Sequence, residues 1–532
     1  MLRRFARRLV EGIGITSRQE LLWFVSLSLL AVVIGNIPHL YAWWRTEAGD
    51  YFLGSGTSSN HADYLTYLMK VEQGRMGKWQ MEQWYSLEAS RPTPIQVIYP
   101  FIGQLARFFS LDIRWAIHLM RLLAAPFLLT GAYALISLFE RARKWRLLMY
   151  TLMLFPLTTN WMYSDWKWSG GITLPESMIY SALVFMPHFA LGLGALLWAV
   201  WGFWKARVHP TWKWGIFISC MSIVAIVVYP FALANYYAAI IGFLAFSWLK
   251  SELRSKDILA AVMGLPVVLI GAAYYWLATH GDRVIEAWWW EQQVSARSSP
   301  ILVLGHLGMV GLVALWASFR AWSRQSDAKS IFVSVWFVGT FFMHYFPFGF
   351  SNRFIIGLSV PAVILFVMFL KKLRWSVQRP AIFLTLALLT ASTFFTVGSE
   401  ISLFRYRVIG YLPNHEVEML TALQGRGSTE DVILTGGGTG KYVPFFAHKR
   451  VFLGHAHETY GYEQKRVEAD KFFGQPDSAW HRQFLRQYGI DYLYLNAYPE
   501  YYRYEPAQAA YLTRLDRQGT SVLYQVNQEF LK

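Results

Sequence analysis

The chain has 532 residues, of which 55% are hydrophobic, 17% aromatic and only 15% charged. A soluble chain carries about a quarter charged residues, and many runs here reach the roughly 20 apolar residues that cross a bilayer. The composition excludes a soluble protein and predicts a polytopic membrane protein. The formal net charge of +16 lies largely in short links between apolar runs, which indicates membrane topology and argues against a nucleic-acid partner.

Residues 21–403 are predicted to form an α-helical transmembrane domain. Residues 1–20 are a basic tail without a signal-peptide cleavage site, which predicts a cytoplasmic N-terminus and a retained first span. Segment 94–110 is short and interrupted by Pro100 and Arg107, so we expect it to lie in the outer interface. About eleven spans remain, and every basic link then falls on the cytoplasmic side. The predicted spans are 21–44, 113–139, 147–163, 178–204, 214–233, 234–249, 258–279, 300–318, 330–350, 354–370 and 381–401.

The first outer loop, 45–94, is the most informative stretch of the chain. Loops longer than about 12–15 residues are usually functional or disordered, and this one is too rich in Trp and Tyr for disorder. It contains Asp50, Asp63 and Arg91. We therefore expect the loop to form part of an active site.

Residues 404–532 are predicted to form a small α/β domain on the outer surface, because hydropathy falls and short β-rich runs alternate with helical patterns. An odd number of spans sends this domain outside. The predicted strands are 431–435, 451–453, 491–495 and 521–526, and the predicted helices are 414–424, 461–473, 477–488 and 506–516.

Polar side chains inside the predicted spans are unevenly spread in depth. Ionisable and amide groups within a bilayer are costly and usually face a cavity or a partner. A transporter needs a polar path through both leaflets, whereas the inner halves here are nearly apolar, so the pattern favours a cavity that opens outward or sideways. The groups in outer halves are Asn36, His39, His118, Arg121, Asn160, Asn235, His306, His344 and Glu400, with Arg353 at an outer end and His188 near mid-depth.

Each of these residues also has a structural interpretation. His118 and Arg121 share a helix face and could pair with each other. His188, after Pro187, could be a satisfied core histidine, and Arg353 could anchor the helix at the interface. The common depth of these residues is stronger evidence for a cavity than any one of them alone.

Taken together, the chain resembles the GT-C superfamily of membrane glycosyltransferases, which includes the protein O-mannosyltransferases and related bacterial enzymes. The shared features are a long first outer loop with an acidic residue (Asp50 or Asp63), the proline-bearing segment 91–100, and a following span with Arg121. Shorter likenesses are Asp63-Tyr64, Pro187 to Phe189, and Gly454-His455 with Glu458-Thr459.

The resemblance implies transfer of a sugar from a polyprenyl-phosphate donor to an acceptor hydroxyl outside the cytoplasmic membrane, with inversion. One carboxylate would act as base, which we expect to be Asp63 or, alternatively, Asp50. Asp63 could also be the N-cap of a helix over 63–74. The donor phosphate would be bound by Arg121 and Arg353 first, and by Arg91 and Lys167 next.

Further substrate contacts are expected from a set of polar residues in the outer halves and outer domain. They are His118, His188, His344, Asp165, His455, His457 and Glu458. The acceptor is a glycan, a lipid or a protein, and membrane lipids are the surrounding partners. The main rival functions are a transporter or flippase for a lipid-linked saccharide and a non-catalytic scaffold.

A divalent cation is left open by the sequence. Tyr51 follows Asp50 where O-mannosyltransferases have an Asp-Glu pair, and the second outer loop has Asp165-Trp166-Lys167 instead of Asp-x-Asp. Asp63 and Asp165 could still share a cation, since hard cations accept carboxylates from separate loops. On a strand, His455 and His457 would face the same way, which allows metal ligation, acceptor contact or a structural role.

Overall fold

The computed structural model describes residues 11–57, 61–158, 175–291, 298–323, 326–347, 350–406, 409–436, 438–496, 503–504 and 509–531. Among these residues, seven helices are long and apolar enough to cross a membrane, or eight if one bent pair counts as a single span. The predicted number of about eleven is therefore not confirmed. The predicted span 147–163 extends beyond the described ranges, and the candidates Asp165 and Lys167 lie outside them.

In the first half of the chain, helices α1 and α4 lie on either side of the first outer loop in the sequence. Helix α1 is capped by Ser17, whose hydroxyl accepts from the Glu20 backbone N–H at 3.1 Å, and α4 is capped in the same way by Asp112. Two short helices lie between them, and the second falls within segment 94–110, which is expected from the sequence to lie in the outer interface. The bounds are α1 Arg18–Trp44, α2 His61–Arg75, α3 Ile98–Phe108, α4 Ile113–Phe139, α5 Arg143–Leu154, α6 Ile179–Val184, α7 Pro187–Val208, α8 Trp212–Val228 and α9 Phe231–Leu249.

The second half continues with helices that carry fewer polar groups. Their bounds are α10 Ser255–Val262, α11 Leu265–Thr279, α12 Arg283–Glu286, α13 Pro300–His306, α14 Gly308–Ser323, α15 Ala328–Met343, α16 Ser359–Leu370 and α17 Trp375–Arg405. A π-helical turn, Ala287–Glu291, follows α12, and a 3-10 turn, Ser351–Ile355, precedes α16.

Three of the predicted spans consist of two helices each, and one of them, 258–279, divides into α10 and α11. The predicted span 178–204 divides into α6 and α7, because Pro187 has no N–H for the preceding turn and starts a new helix instead. The predicted span 300–318 divides into α13 and α14, which meet at an angle of 112°. Hydropathy alone does not register such breaks, since the residues on both sides are apolar.

Helices α4 and α7 form the centre of the membrane part, and α8 packs on the other side of α7. Helices α1 and α17 lie at the periphery of the membrane part and leave large apolar side chains exposed, including Leu29 on α1 and Phe383 and Phe394 on α17. Apolar surface of this kind fits contact with lipid chains rather than water.

Helices α2 and α3 cross with their backbones in contact, and this crossing fixes the first outer loop. A Cβ atom on Gly74 would lie 2.2 Å from the carbonyl oxygen of Pro100, and one on Gly103 would lie 2.0 Å from that of Val71. Only glycine permits this approach. The crossing holds α2 against α3.

The C-terminal domain, called the outer domain after its expected location, contains a five-stranded mixed sheet in the order β4-β3-β5-β7-β6. Strand β3 is parallel to β4 and β5, and the β5–β7 and β7–β6 pairs are antiparallel. A separate pair, β1 with β2, joins the first outer loop to the outer domain. The strands are β1 Asp50–Phe52, β2 Tyr411–Pro413, β3 Val432–Leu434, β4 Arg450–Val451, β5 Ile490–Leu495, β6 Leu512–Gln518 and β7 Ser521–Val526. The helices are α18 Asn414–Thr421, α19 Val443–Ala447, α20 Tyr462–Phe473 and α21 Ala479–Gln487.

The predicted helix 506–516 is wrong over its described part. Leu512–Gln518 is a strand that forms a hairpin with β7, and Gly519 in the turn has φ +61°. The hairpin satisfies the backbone groups of both strands, and pairing across the sheet outweighs the helical pattern. The strand 521–526 is present with the predicted bounds, and the other predicted elements of this domain are present with shifted ends.

Candidate active site

Asp63 lies in the first turn of α2, and its side chain points to the outer domain. Oδ1 of Asp63 lies 3.1 Å from Nε2 of His455. The helix is already formed at His61, so the alternative that Asp63 is the N-cap is wrong. The carboxylate is instead held by a residue almost 400 positions later in the chain.

The backbone around His455 determines its tautomer. The N–H of His457 points at Nδ1 of His455 at 3.2 Å, so Nδ1 accepts and carries no hydrogen. The ring proton is then on Nε2, which donates to Asp63. The two histidines lie in the turn that follows β4 and not on a strand, which was one possibility considered from the sequence. Their ring centres are 5.7 Å apart.

The electrostatic surroundings keep Asp63 ionised. Burial raises the pKa of Asp63, but the His455 hydrogen bond and the charges of Arg353 and His457 outweigh burial and lower the pKa to about 2. A carboxylate therefore faces the cavity at any physiological pH.

A cavity lies between α2, segment 94–110, the membrane helices and the outer domain. It brings together candidates from four separate parts of the sequence. The sequence-predicted residues that line it are Asp63, His188, Arg353, His455, His457 and Glu458.

The membrane side of the cavity combines one cation with aromatic rings. Arg353 stands in the 3-10 turn before α16, and its guanidinium lies 5.8 Å from the ring centre of Phe231. His188 is the second residue of α7, and its Nδ1 hydrogen-bonds with the hydroxyl of Tyr99. The Tyr99 ring stacks on Tyr67 at 4.3 Å. The break before Pro187 thus brings His188 to the cavity wall.

A buried ion pair joins the first outer loop to the outer domain beside this cavity. Nζ of Lys70 lies 2.9 Å from Oε1 of Glu458, and Nε2 of Gln83 donates to Oε2 of Glu458 at 2.7 Å. Lys70 also donates to Gln96 at 3.0 Å and lies over the Trp288 ring at 5.1 Å. Burial raises the pKa of Glu458, whereas Lys70 and its other partners lower it below its usual value.

Sequence reasoning missed Lys70, Tyr67 and Tyr99. A signal was present for the first two, because positions 63, 66, 67 and 70 follow the i, i+3, i+4, i+7 spacing of one helix face. Thr66 and Tyr67 line the cavity with Asp63. The contact of Tyr99 with His188 depends on the tertiary fold, and no local pattern predicts it.

Glu176 is a further carboxyl group that the sequence analysis did not select. It lies in the 3-10 turn Pro175–Ser177, and its carbonyl oxygen accepts from the backbone N–H of Gly357 at 2.9 Å. Burial raises the pKa of Glu176, and Arg353 opposes that shift while Asp63 adds to it. Glu176 therefore lies within electrostatic range of both groups.

Arg121 and His118 are not in the cavity. Arg121 is fully buried, and its guanidinium donates to the carbonyl oxygens of Leu183 and Val184 at 3.0 and 2.9 Å and to Oδ1 of Asn36 at 2.5 Å. Nδ1 of His118 lies 3.2 Å from the guanidinium, so these two residues pair as their spacing indicated. The network joins α1, α4 and α6.

Three other candidates also lie elsewhere. Asp50 is in β1, opposite Pro413 of β2. Arg91 is exposed and donates to the carbonyl oxygens of Leu277 and His280 at the end of α11. His344 is buried at the end of α15 and does not line the cavity.

The fold has relatives among solved structures, whereas no family model and no curated sequence matches the chain. The apo oligosaccharyltransferase of Archaeoglobus fulgidus matches with a TM-score of 0.57 and 11% identity over 89% of this chain and 69% of that one. The same archaeal enzyme, AglB, has been solved with an inhibitory peptide and a dolichol-phosphate (TM-score 0.54) and with Zn and sulfate (0.55).

A bacterial structure matches over nearly its whole length. ArnT of Cupriavidus metallidurans bound to undecaprenyl phosphate has a TM-score of 0.53 and 12% identity, covering 94% of this chain and 98% of that one. These proteins share the GT-C fold, and at such identities the likeness is one of fold. The GT-C fold and the helical membrane architecture expected from the sequence are thereby confirmed.

The described residues do not fit a metal centre. Among the described ranges, no three His, Cys, Asp or Glu side chains converge. Oδ1 of Asp63 is occupied by His455, and both oxygens of Glu458 are occupied by Lys70 and Gln83. The suggested pair of Asp63 with Asp165 involves a residue outside the described ranges.

Proposed function

We propose that this protein is a membrane glycosyltransferase that moves a sugar from a polyprenyl-phosphate donor to an acceptor hydroxyl at the outer face of the cytoplasmic membrane. The observation that carries the proposal is the cavity in which an ionised carboxylate, Asp63, and a cation, Arg353, face a common space beside the membrane helices. Fold relatives bind dolichol-phosphate and undecaprenyl phosphate, which supports a polyprenyl-phosphate donor.

Asp63 is the proposed base, in preference to Asp50, because it alone of the two lines the cavity. Its low pKa makes it a weak base towards a free hydroxyl. The acceptor hydroxyl becomes strongly acidic, however, once its oxygen bonds to the anomeric carbon, so a weak base in the right place suffices at that stage. The proton passes from the acceptor oxygen to Asp63 as the new C–O bond forms.

Arg353 is the proposed partner of the departing phosphate. The bond between the anomeric carbon and the phosphate oxygen breaks with its electron pair going to that oxygen, and negative charge grows there. A guanidinium held in a buried, aromatic setting stabilises such charge more strongly than one in water. Attack from the face opposite the leaving group gives inversion.

His455 and Lys70 are proposed as positioning residues. His455 donates to one oxygen of Asp63 and leaves the other for the acceptor. Lys70 fixes Glu458, three residues beyond His455, and so ties the turn of the outer domain to α2. The outer domain would then complete the active site rather than serve as an appended module.

A transporter of lipid-linked saccharides is the main alternative, and a scaffold is the second. Neither needs a carboxylate whose ionisation is maintained by a histidine from another domain. In detergent there are no compartments, so a transporter yields no product, whereas a transferase does.

The test is transfer of radiolabel from polyprenyl-phosphate sugars to an acceptor extract by the purified protein in detergent. We expect incorporation by the wild type and a loss of at least about 100-fold in Asp63→Asn, the size typical of a removed general base. Asp112→Asn is the matched control, because Asp112 is an outer carboxylate paired with Arg114 away from the cavity.

Equal transfer by wild type and Asp63→Asn would contradict the assignment of the base. Equal loss in Asp63→Asn and Asp112→Asn would indicate a general charge effect. A parallel assay with chelator tests the metal: loss of transfer that added divalent cation restores would show a cation requirement, supplied with help from residues outside the described ranges.

A further inference from the structure

A second cavity lies at the opposite end of the helices that carry the candidate active site. It lies between the C-terminal ends of α14 and α16, beside the start of α15. Arg353 precedes α16 and Lys372 follows it. A helix of 12 residues separates them by at least about 18 Å, so this cavity is distinct from the first.

The cavity is lined by cations and hydroxyl groups without an acidic side chain among the described lining residues. Arg320 enters from α14 and Lys372 from the end of α16, and Ser326 lies beside them. The nearby carboxylate of Asp327 caps α15, where it accepts from the backbone N–H groups of Lys329 and Ser330 at 2.9 and 3.0 Å. The cavity therefore favours an anion.

The remaining wall is apolar and adjoins the lipid-facing surface. The guanidinium of Arg320 lies 4.7 Å from the ring centre of Trp316, and the Trp316 ring meets Phe369 edge-on at 5.1 Å. Trp316 is 44% exposed, and Leu312 and Phe319 on the same helix are also exposed. A ligand in the cavity would touch cations at one end and hydrocarbon at the other.

We propose that this cavity binds the headgroup of an anionic phospholipid, with the phosphate between Arg320 and Lys372 and an acyl chain along Trp316 and Phe369. A soluble anion would use only the cations, whereas a lipid uses the apolar wall as well. Basic pockets between membrane helices are suited to anionic headgroups, whose leaflet attracts Lys and Arg. The site shares no lining residue with the candidate active site.

The test is binding of phosphatidylglycerol to the purified full chain in neutral detergent, followed by native mass spectrometry, with phosphatidylcholine as the uncharged comparison. We expect preferential retention of phosphatidylglycerol by the wild type. Affinity should fall about fivefold for each of Arg320→Gln and Lys372→Gln. Arg374→Gln is the matched control, because it removes an exposed charge two residues from Lys372 without touching the cavity.

Arg320 and Lys372 are both exposed, so each single variant should fold as the wild type does. Equal affinity of wild type and both single variants would overturn the proposal. So would equal retention of the two lipids, an equal loss in Arg374→Gln, or displacement of the lipid by millimolar inorganic phosphate, which would indicate a site for soluble anions.

Discussion

At the scale of single residues, the pairing of Asp63 with His455 determines what the candidate site can do. The histidine ring has one orientation, because the His457 N–H occupies Nδ1 and leaves Nε2 to donate. Hydrogen bonds to charged groups contribute about 1.5–3 kcal/mol, enough to move a pKa by one to two units.

His455→Ala should therefore raise the pKa of Asp63 from about 2 towards its usual value. Because the carboxylate is the active form, transfer should be lost at a higher pH on the acid side, by about one to two pH units. The measurement is the pH dependence of the transfer rate. His455→Gln, which retains an N–H donor, should recover part of the shift, and an unchanged acid limb in His455→Ala would show that the histidine does not act through Asp63.

Lys70→Met should destabilise the protein strongly, because it leaves the Glu458 carboxylate buried without its cation. Loss of one partner of a buried pair costs about 3–5 kcal/mol, a large part of the stability of most proteins. Thermal unfolding in detergent measures the effect, and the double variant Lys70→Met/Glu458→Gln should regain much of the loss. Arg466→Ala, which breaks an exposed pair with Glu463, is the control and should leave the unfolding temperature unchanged. Equal effects of Lys70→Met and Arg466→Ala on the unfolding temperature would contradict the argument from burial.

At the scale of elements, the crossing of α2 over α3 positions Asp63 relative to the membrane helices. Gly103→Ala would place a Cβ atom 2.0 Å from the Val71 carbonyl oxygen and 2.5 Å from the Arg75 nitrogen, both backbone atoms that cannot rotate away. We expect destabilisation of about 1–3 kcal/mol together with reduced transfer, since α2 must shift. Gly398→Ala in α17 meets nothing within 4 Å and should be neutral or stabilising. Thermal unfolding of both variants checks this, and a stable, fully active Gly103→Ala would contradict the close crossing.

The elements also show what the sequence does and does not determine. The strand 521–526 and the short helix within segment 94–110 could be predicted because their apolar patterns and flanking turns are local. Where the helix expected over 506–516 overlaps Leu512–Gln518, the structure has a strand instead, since the conformation there depends on pairing with β7. Breaks at Pro187 and between α13 and α14 lie within continuous apolar runs, where hydropathy gives no signal.

At the scale of the whole molecule, the cavity joins residues that lie up to 395 positions apart in the chain, from Asp63 to Glu458. Composition and the depth of polar groups predict a cavity that opens outward. Asp63, Arg353 and His455 could be selected as candidates from their residue types and their positions in loops or at the end of a span. The sequence did not predict that Arg121 would donate to carbonyl oxygens of α6, because that contact depends on the break before Pro187. The contacts of Tyr99 and Lys70 could not be predicted from the sequence, because they depend on how α2, α3 and the outer domain pack together.

The central claim is that Asp63 and Arg353 act on the same transferring sugar. Its most direct test is the transfer rate of Asp63→Asn, Arg353→Gln and the double variant, measured with one donor and one acceptor. Residues that stabilise one transition state as a unit give strongly non-additive losses. We predict that the double variant transfers no more slowly than the slower single variant. Losses that multiply in the double variant, or full activity in either single variant, would contradict the account.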